Sequence, residues 1–323
     1  MSNTKYTYAV ARIRALETSL LTDGVIGQLL GCPTVEQAMQ LLMEKGWGSG
    51  TSEEKIEDML ACEEQKAWRV IQDTAPDMKV FDVLSCPRLY HNLKAAVKAV
   101  CTGSHVKDIF YDGCSVSGEE MMRIVENKEF DRLPGRMPGI AREAFETLLH
   151  TGDGQLCDVM IDRAALEAVQ EAGRQSGETI IREYADTTVS IADIKIAVRC
   201  SRTGKSAEFM RSAMAECEGV SVDQLIRAAL SGEDEIIKYL EGTSYAGGAA
   251  ALAESPSAFE RWCDDRMTES MKPQKYETFS VGPLLAYLLA RENEIKTVRI
   301  ILTGKQNSFP DDAIRERVRE MYV

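Results

Sequence analysis

Histidine is nearly absent from this chain: three occur in 323 residues, at positions 91, 105 and 150. They form no His-x-x-x-His pair and no His/carboxylate spacing of the kind that holds a metal or runs acid–base chemistry. A Cys-x-x-Cys pair is missing too, although nine cysteines are present, at 32, 62, 86, 101, 114, 157, 200, 217 and 263. Without closely spaced soft ligands a structural zinc site is not expected. The odd count and the absence of an export-type leader point instead to a reducing compartment, with the thiols serving mainly as small core hydrophobes. Cys101 beside His105 reads as a helix-end coincidence, not as a nucleophile and its base.

Long apolar runs are also missing. The N-terminal helix pattern is interrupted by Arg12 and Arg14, and Val281–Ala290 has about half of the ~20 residues that a membrane-crossing helix needs. No direct membrane span is therefore expected. Basic excess is lacking as well, with 38 Lys and Arg against 51 Asp and Glu and a formal net charge of -13. That balance argues against a nucleic-acid backbone as the main partner and suits a basic protein surface.

A phosphate loop is not found either. RTGKS at 202–206 ends like one, but the motif needs a glycine at the position held here by Arg199, inside a helical pattern. The paired acids Asp264-Asp265 and Asp311-Asp312 read as solvated faces, the second pair also favouring a helix start. No catalytic residue, cofactor-binding residue or metal ligand is expected.

Helix is what the sequence does have. Apolar spacing and cap residues predict helices at Tyr8–Leu21 and Thr34–Glu44, and one beginning at Thr51/Ser52 with Ile56, Met59, Leu60, Ala67, Trp68 and Ile71 on one face. A long helix over Asp77–Val100 is expected to break or bend at Cys86-Pro87. After a loop at Lys128–Gly139, helices are expected at Ile140–Leu149, Gly154–Ala172, Glu178–Cys200, Ala207–Ala215, Val222–Ala229, Pro256–Glu269, Pro283–Leu302 and Asp311–Met321. The strand-like TVRIILTG at 297–304 continues a helical pattern and is read as helix. The small-residue segment SYAGGAAALAESP at 244–256 reads as a linker, with a contact loop as the other reading.

The chain also repeats itself. NLKAAVKAVCTG starts at Asn92, DIKIAVRCSRTG at Asp193 and EIKTVRIILTG at Glu294, so Lys94, Lys195 and Lys296 stand 101 residues apart, twice. Each copy ends in Thr-Gly, at Gly103, Gly204 and Gly304, read as helix-closing glycines. Upstream, Leu60, Ile161 and Trp262 share one position, and SGEEMMR at 117 resembles SVDQLIR at 221. Three related helical units follow, each built on a pair of long helices: 22–128, 129–232 and 233–323, with residues 1–21 completing the third. The repeated lysines either face a central opening or, the commoner role for such residues, lie at the edge of a buried stripe.

YAVARIRALETSLL at 8–21, HNLKAAVKA at 91–99 and the ending FSVGPLLAYLLARENEIKTVRIILTGKQNSFPDDAIRERVREMYV at 279–323 resemble the C subunit of the V-type and archaeal-type ATP synthases and ATPases, a relative of the eukaryotic V-ATPase d subunit. The resemblance implies an all-α fold of three similar V-shaped helical domains in a pseudo-threefold funnel or socket. It implies a non-catalytic rotor adaptor of the central stalk, at the cytoplasmic face of the membrane. Its partners would be the central shaft subunits of D and F type and the membrane rotor ring, and torque passing through it would serve proton or sodium transport. Lys94, Lys195 and Lys296, with Lys98 and Arg199 one turn on, are then candidate interface or structural positions. The alternative is an all-helical repeat scaffold that binds protein partners outside a rotary motor. A helical enzyme is a further reading for which the sequence offers no residues.

Overall fold

The computed structural model describes residues 4–49, 55–104 and 109–323. Among the described residues the chain is all-α, with sixteen α-helices, three short 3₁₀ turns and no strand. In chain order the helices are α1 (Thr7–Glu17), α2 (Asp23–Gly31), α3 (Val35–Glu44), α4 (Ile56–Thr74), α5 (Asp82–Thr102), α6 (Gly118–Glu126), α7 (Met137–Thr151) and α8 (Gly154–Gln175). They continue with α9 (Thr179–Thr203), α10 (Ala207–Ala213), α11 (Val222–Ser231), α12 (Glu233–Glu241), α13 (Ala246–Glu254), α14 (Pro256–Met271), α15 (Gly282–Gln306) and α16 (Asp311–Arg315). The expected start at Thr51/Ser52 lies outside the described residues, as does His105.

Many helix starts are set by side-chain caps that satisfy otherwise orphaned amides. Thr34 accepts from the Gln37 N–H at 3.3 Å, Ser117 from Glu120 at 3.2 Å and Ser221 from Gln224 at 3.5 Å. The sequence likeness between residues 117 and 221 is thus a likeness of cap chemistry. Gly103 and Gly204 close α5 and α9 in the left-handed region, at φ 65° and 63°.

Residues up to Met78 and from Gly247 onward form one compact unit, and Lys79–Ala246 forms another. In the first, α15 runs through the core and packs on α1, α4, α3 and α14. Leu284, Leu285, Leu288, Val298 and Leu302 on it are fully buried, and Ile26, Leu29, Leu42, Leu60 and Ile301 share that interior. In the second, α5 packs on α8, and α8 receives both α7 and α9. Leu93, Val97, Met121, Ile124, Met137 and Ile161 fill its centre.

Several expectations give way to tertiary packing. Pro87 does not break its helix: α5 runs unbroken from Asp82 to Thr102 with Pro87 inside it. Pro87 lies in the second turn of α5, where the single backbone bond that its missing N–H removes is the one to the Val83 carbonyl. The 128–139 segment is not wholly loop, because it contains a 3₁₀ turn at Phe130–Arg132 and α7 begins at Met137 with a proline in its first turn. Residues 246–254 are a helix, not a linker. Their small side chains admit the Trp262 ring so closely that a Cβ on Gly248 would lie 2.6 Å from it. Gly304 does not end its helix: α15 continues to Gln306, and Gly304 is buried where an added Cβ would lie 2.7 Å from Ile314. The last helix stops at Arg315, because the chain beyond it turns to bond α14 and α15. The Glu320 N–H reaches Asp265 at 2.8 Å, and Asn293 donates to the Glu320 carbonyl at 2.7 Å.

Candidate functional site

Lys94, Lys98 and Lys296 act as struts between helices. Lys94 on α5 reaches Asp162 of α8 at 2.6 Å, and one turn on Lys98 reaches Asp158 at 2.7 Å. Lys296 on α15 pairs with Asp264 of α14, whose Oδ2 also accepts from Arg319 at 2.6 Å. Burial works against the Asp264 charge, but Lys296 and Arg319 together hold its carboxyl below the usual range. Asp264 and Asp265 are therefore tail anchors, not the solvated face that their sequence suggested. Lys195 is half-buried on α9, and Arg199 is exposed one turn further on. Partly exposed pairs such as Lys94–Asp162 contribute about 0.2–1 kcal/mol each, so the struts orient helices more than they stabilise them.

Two residues before each repeated lysine stands a buried polar side chain that holds backbone. Asn92 is fully buried; its Oδ1 accepts the Tyr111 N–H at 2.8 Å and its Nδ2 donates to the Tyr111 carbonyl at 2.9 Å. Asp193, equally buried, accepts the Ala215 N–H at 3.2 Å. Glu294 accepts the Leu21 N–H. In the first two copies the anchored segment follows its helix in the chain, whereas in the third it comes from the N-terminal region.

Glu294 belongs to the most deeply buried charge network described. Arg291 sends Nη1 to Glu294 and Nη2 to Glu63, both at 2.6 Å, and lies over the Trp47 ring at 5.0 Å from its centroid. Glu63 also takes Lys66 at 2.6 Å and the Gly48 N–H at 2.8 Å. The Arg291, Glu63 and Glu294 side chains are 7%, 4% and 3% exposed. Burial pushes the Glu294 carboxyl up to about 7, against the pull of Arg291 and the Leu21 N–H. One arginine thus ties α4, the α3–α4 connection, the end of the α1 segment and α15 into a single body. Sequence reasoning missed this network. The signal available was an Arg and a Glu three residues apart inside an otherwise apolar helix.

The remaining candidates are taken up by local structure where they are described. Gly204 in RTGKS is a helix cap, Ser206 caps α10 by accepting the Phe209 N–H at 3.1 Å, and Lys205 is bonded to Gln155 at 2.8 Å. His91 contacts the Ile109 carbonyl at 3.1 Å. The Cys101 Sγ faces the Phe145 carbonyl, and burial raises the Cys101 thiol. Cys157, Cys200 and Cys263 are buried, the other cysteines are partly buried, and all nine are free thiols. Among the described residues no group of His, Cys, Asp and Glu is placed to hold a metal ion, and no helix is long and apolar enough to cross a membrane. A groove between α3, α4 and the end of α15 is lined by Val35, Met39, Ile56 and Thr303, with Glu36, Lys55, Glu57 and Lys305 among them. The Lys305 ammonium is occupied by the Leu30 and Cys32 carbonyls at 2.7 and 2.5 Å.

What the described residues bring together is a set of inter-helix ion pairs and buried anchors of backbone amides. The model of the ATP synthase (C/AC39) subunit family matches residues 9–317, so the chain belongs to that family. It is similar over 96% of its length to the C subunit of the V-type sodium ATPase of Enterococcus hirae, at 22% identity and covering 97% of that protein. It is similar to the C subunit of the A-type ATP synthase of Methanocaldococcus jannaschii, at 24% identity over 96% of this chain and 85% of that one. The corresponding A-type protein of Pyrococcus furiosus is 25% identical, over 98% and 91%. The chain is thus a subunit of the V/A class of ATP synthases and ATPases, and a structural component of the complex.

Proposed function

We propose that this chain is the non-catalytic adaptor of the central stalk, joining the shaft subunits of D and F type to the membrane rotor ring at the cytoplasmic face. It passes torque between them in support of proton or sodium transport. The observation that carries the reading is the family match from residue 9 to residue 317. Mechanical sense supports it. A coupling element has to resist twisting, which calls for long helices cross-braced at several points and for ends of the chain that do not fray. The Lys94–Asp162, Lys98–Asp158 and Lys296–Asp264 struts brace neighbouring helices. The Arg291 network fixes both terminal regions in one body.

In this reading the repeat makes three homologous arms, at 22–128, 129–232 and 233–323, about a pseudo-threefold axis, with residues 1–21 completing the third. The equal spacing of Asn92, Asp193 and Glu294, and the use of Leu21 as the third anchored amide, support that closure. The exposed cation Arg199 and the outer edges of the lysine rows are then contact positions, and the acidic surface meets basic loops of the ring.

Co-purification tests the assignment. A tagged copy of the chain expressed with the rest of its complex is expected to retain both shaft and ring subunits through a mild detergent wash. Retention of neither, in preparations where the other subunits remain assembled, overturns it.

A further inference from the structure

We propose that Asp193 holds the Ala215 amide as a neutral acid, and that this makes the start of the 214–220 segment, whose Glu218 amide is held separately by Asp186, a pH-released latch: closed while the Asp193 carboxyl keeps its proton, loosened as the proton is lost. The inference stands apart from the adaptor role and does not depend on it.

The argument starts from the repeat. At the first anchor an amide does the work, and Asn92 both accepts from and donates to Tyr111. At the second, an acid of the same shape occupies the equivalent position with no exposed surface. Its Oδ1 accepts one amide, from Ala215 at 3.2 Å, and its Oδ2 is buried with no hydrogen-bond partner among the described residues. A buried carboxylate with a single neutral donor and a bare second oxygen is a costly arrangement, whereas a protonated one is isosteric with asparagine.

The surrounding charges do not rescue the anion. Glu216, in the anchored segment itself, repels it, and Cys217 beside it is a thiol whose own proton burial retains. Arg163 of α8 attracts Asp193 from a distance, but its Nε is given to Glu167 at 3.0 Å and its Nη1 to the Arg211 carbonyl at 3.2 Å. On α10 and α11 the charges of Arg211 and Asp223 face each other at 3.5 Å. On α12 Glu233 is taken by Arg202 of α9 at 2.5 Å. Burial then pushes the Asp193 carboxyl up to about 8, opposed mainly by the Ala215 N–H.

The sign of the pH effect follows from where the proton binds. The closed segment holds it and the opened, solvated carboxyl does not, since an exposed aspartate titrates near ~4. Opening therefore releases a proton and becomes about tenfold easier for each pH unit between the two values, levelling off near 8.

Hydrogen–deuterium exchange on the full chain reads this directly. After correction for intrinsic exchange chemistry, protection of the Ala215 amide is expected to fall about fiftyfold from pH 6 to pH 8 in the wild type. In Asp193→Asn it is expected to stay level, because an amide carries no titrating proton. Wild-type protection that changes less than twofold over that range overturns the proposal, as does an equal fall in the variant. Should the variant fail to fold, carbon-13 infrared spectroscopy of aspartate-labelled wild type decides alone. One aspartic acid C=O band present at pH 7 and lost by pH 10 is expected, and its absence at pH 7 refutes the neutral acid.

Discussion

Replacing Arg291 by methionine probes the lock that joins the two ends of the chain. Methionine keeps most of the aliphatic contact with Trp47 but removes the guanidinium that serves Glu63 and Glu294 at 2.6 Å each. Both carboxylates are less than 5% exposed, and Glu294 then keeps only the Leu21 N–H. Removing one partner from a buried ion pair costs about 3–5 kcal/mol, because a buried charge is left uncompensated. All three tryptophans, at 47, 68 and 262, lie in this unit, so tryptophan fluorescence during urea unfolding reports on it alone. At a urea slope of ~2 kcal/mol/M the midpoint should fall by about 2 M. The loss should shrink as pH drops from 7 towards 5. Burial already raises the Glu294 carboxyl and Arg291 opposes that rise, so without Arg291 the folded state binds the Glu294 proton more strongly and is stabilised further by acid. Adding Glu63→Gln and Glu294→Gln should restore much of the lost stability, a strongly non-additive result. A single variant within about 1 kcal/mol of wild type, with no pH dependence, would refute the claim that this network holds the body together.

Two further outcomes follow from close packing and thiol burial. Gly304→Ala forces a Cβ to within 2.7 Å of Ile314 and should cost about 1–3 kcal/mol in the same unfolding assay, relieved by Ile314→Ala; a neutral Gly304→Ala would contradict the close packing of Ile314 on that glycine. Burial pushes Cys86 and Cys157 up to about 11, so at pH 8 they should react with a disulfide reagent at least about a hundredfold more slowly than an ordinary free thiol. Rapid labelling of both would contradict the packing around α5 and α8.

Much of this fold was legible because helices announce themselves through apolar spacing and caps. Thr34 could be read directly as a cap, Ser117 and Ser221 only as a likeness between copies, and the 297–304 segment held as helix despite its β-branched residues because the pattern before it was helical. Where the reading went astray, distant residues decided. Ala246–Glu254 is helical because Trp262 lies against its small side chains. Gly304 stays in α15 because Ile314 covers it, and Asp264 is an anchor because Arg319 returns to it from 55 residues later. The short helices α2, α6 and α12 gave too few turns to stand out. The Arg291 network was the least visible feature: a charged pair three residues apart reads as solvent face until Glu63, 228 residues away, is seen against it. The repeat, by contrast, revealed the positions of Asn92, Asp193 and Glu294 but not that each of them holds a backbone amide.

Bridging is the property on which the functional account turns, and it can be measured without the rest of the motor. Rotor ring is immobilised in lipid nanodiscs, and labelled D and F type shaft subunits are flowed over it with and without this chain. The account predicts that the shaft is retained only when the chain is present, and that chain, shaft and ring are held together in one complex. Shaft retention that is the same in its absence, or a chain that binds neither surface, would contradict it.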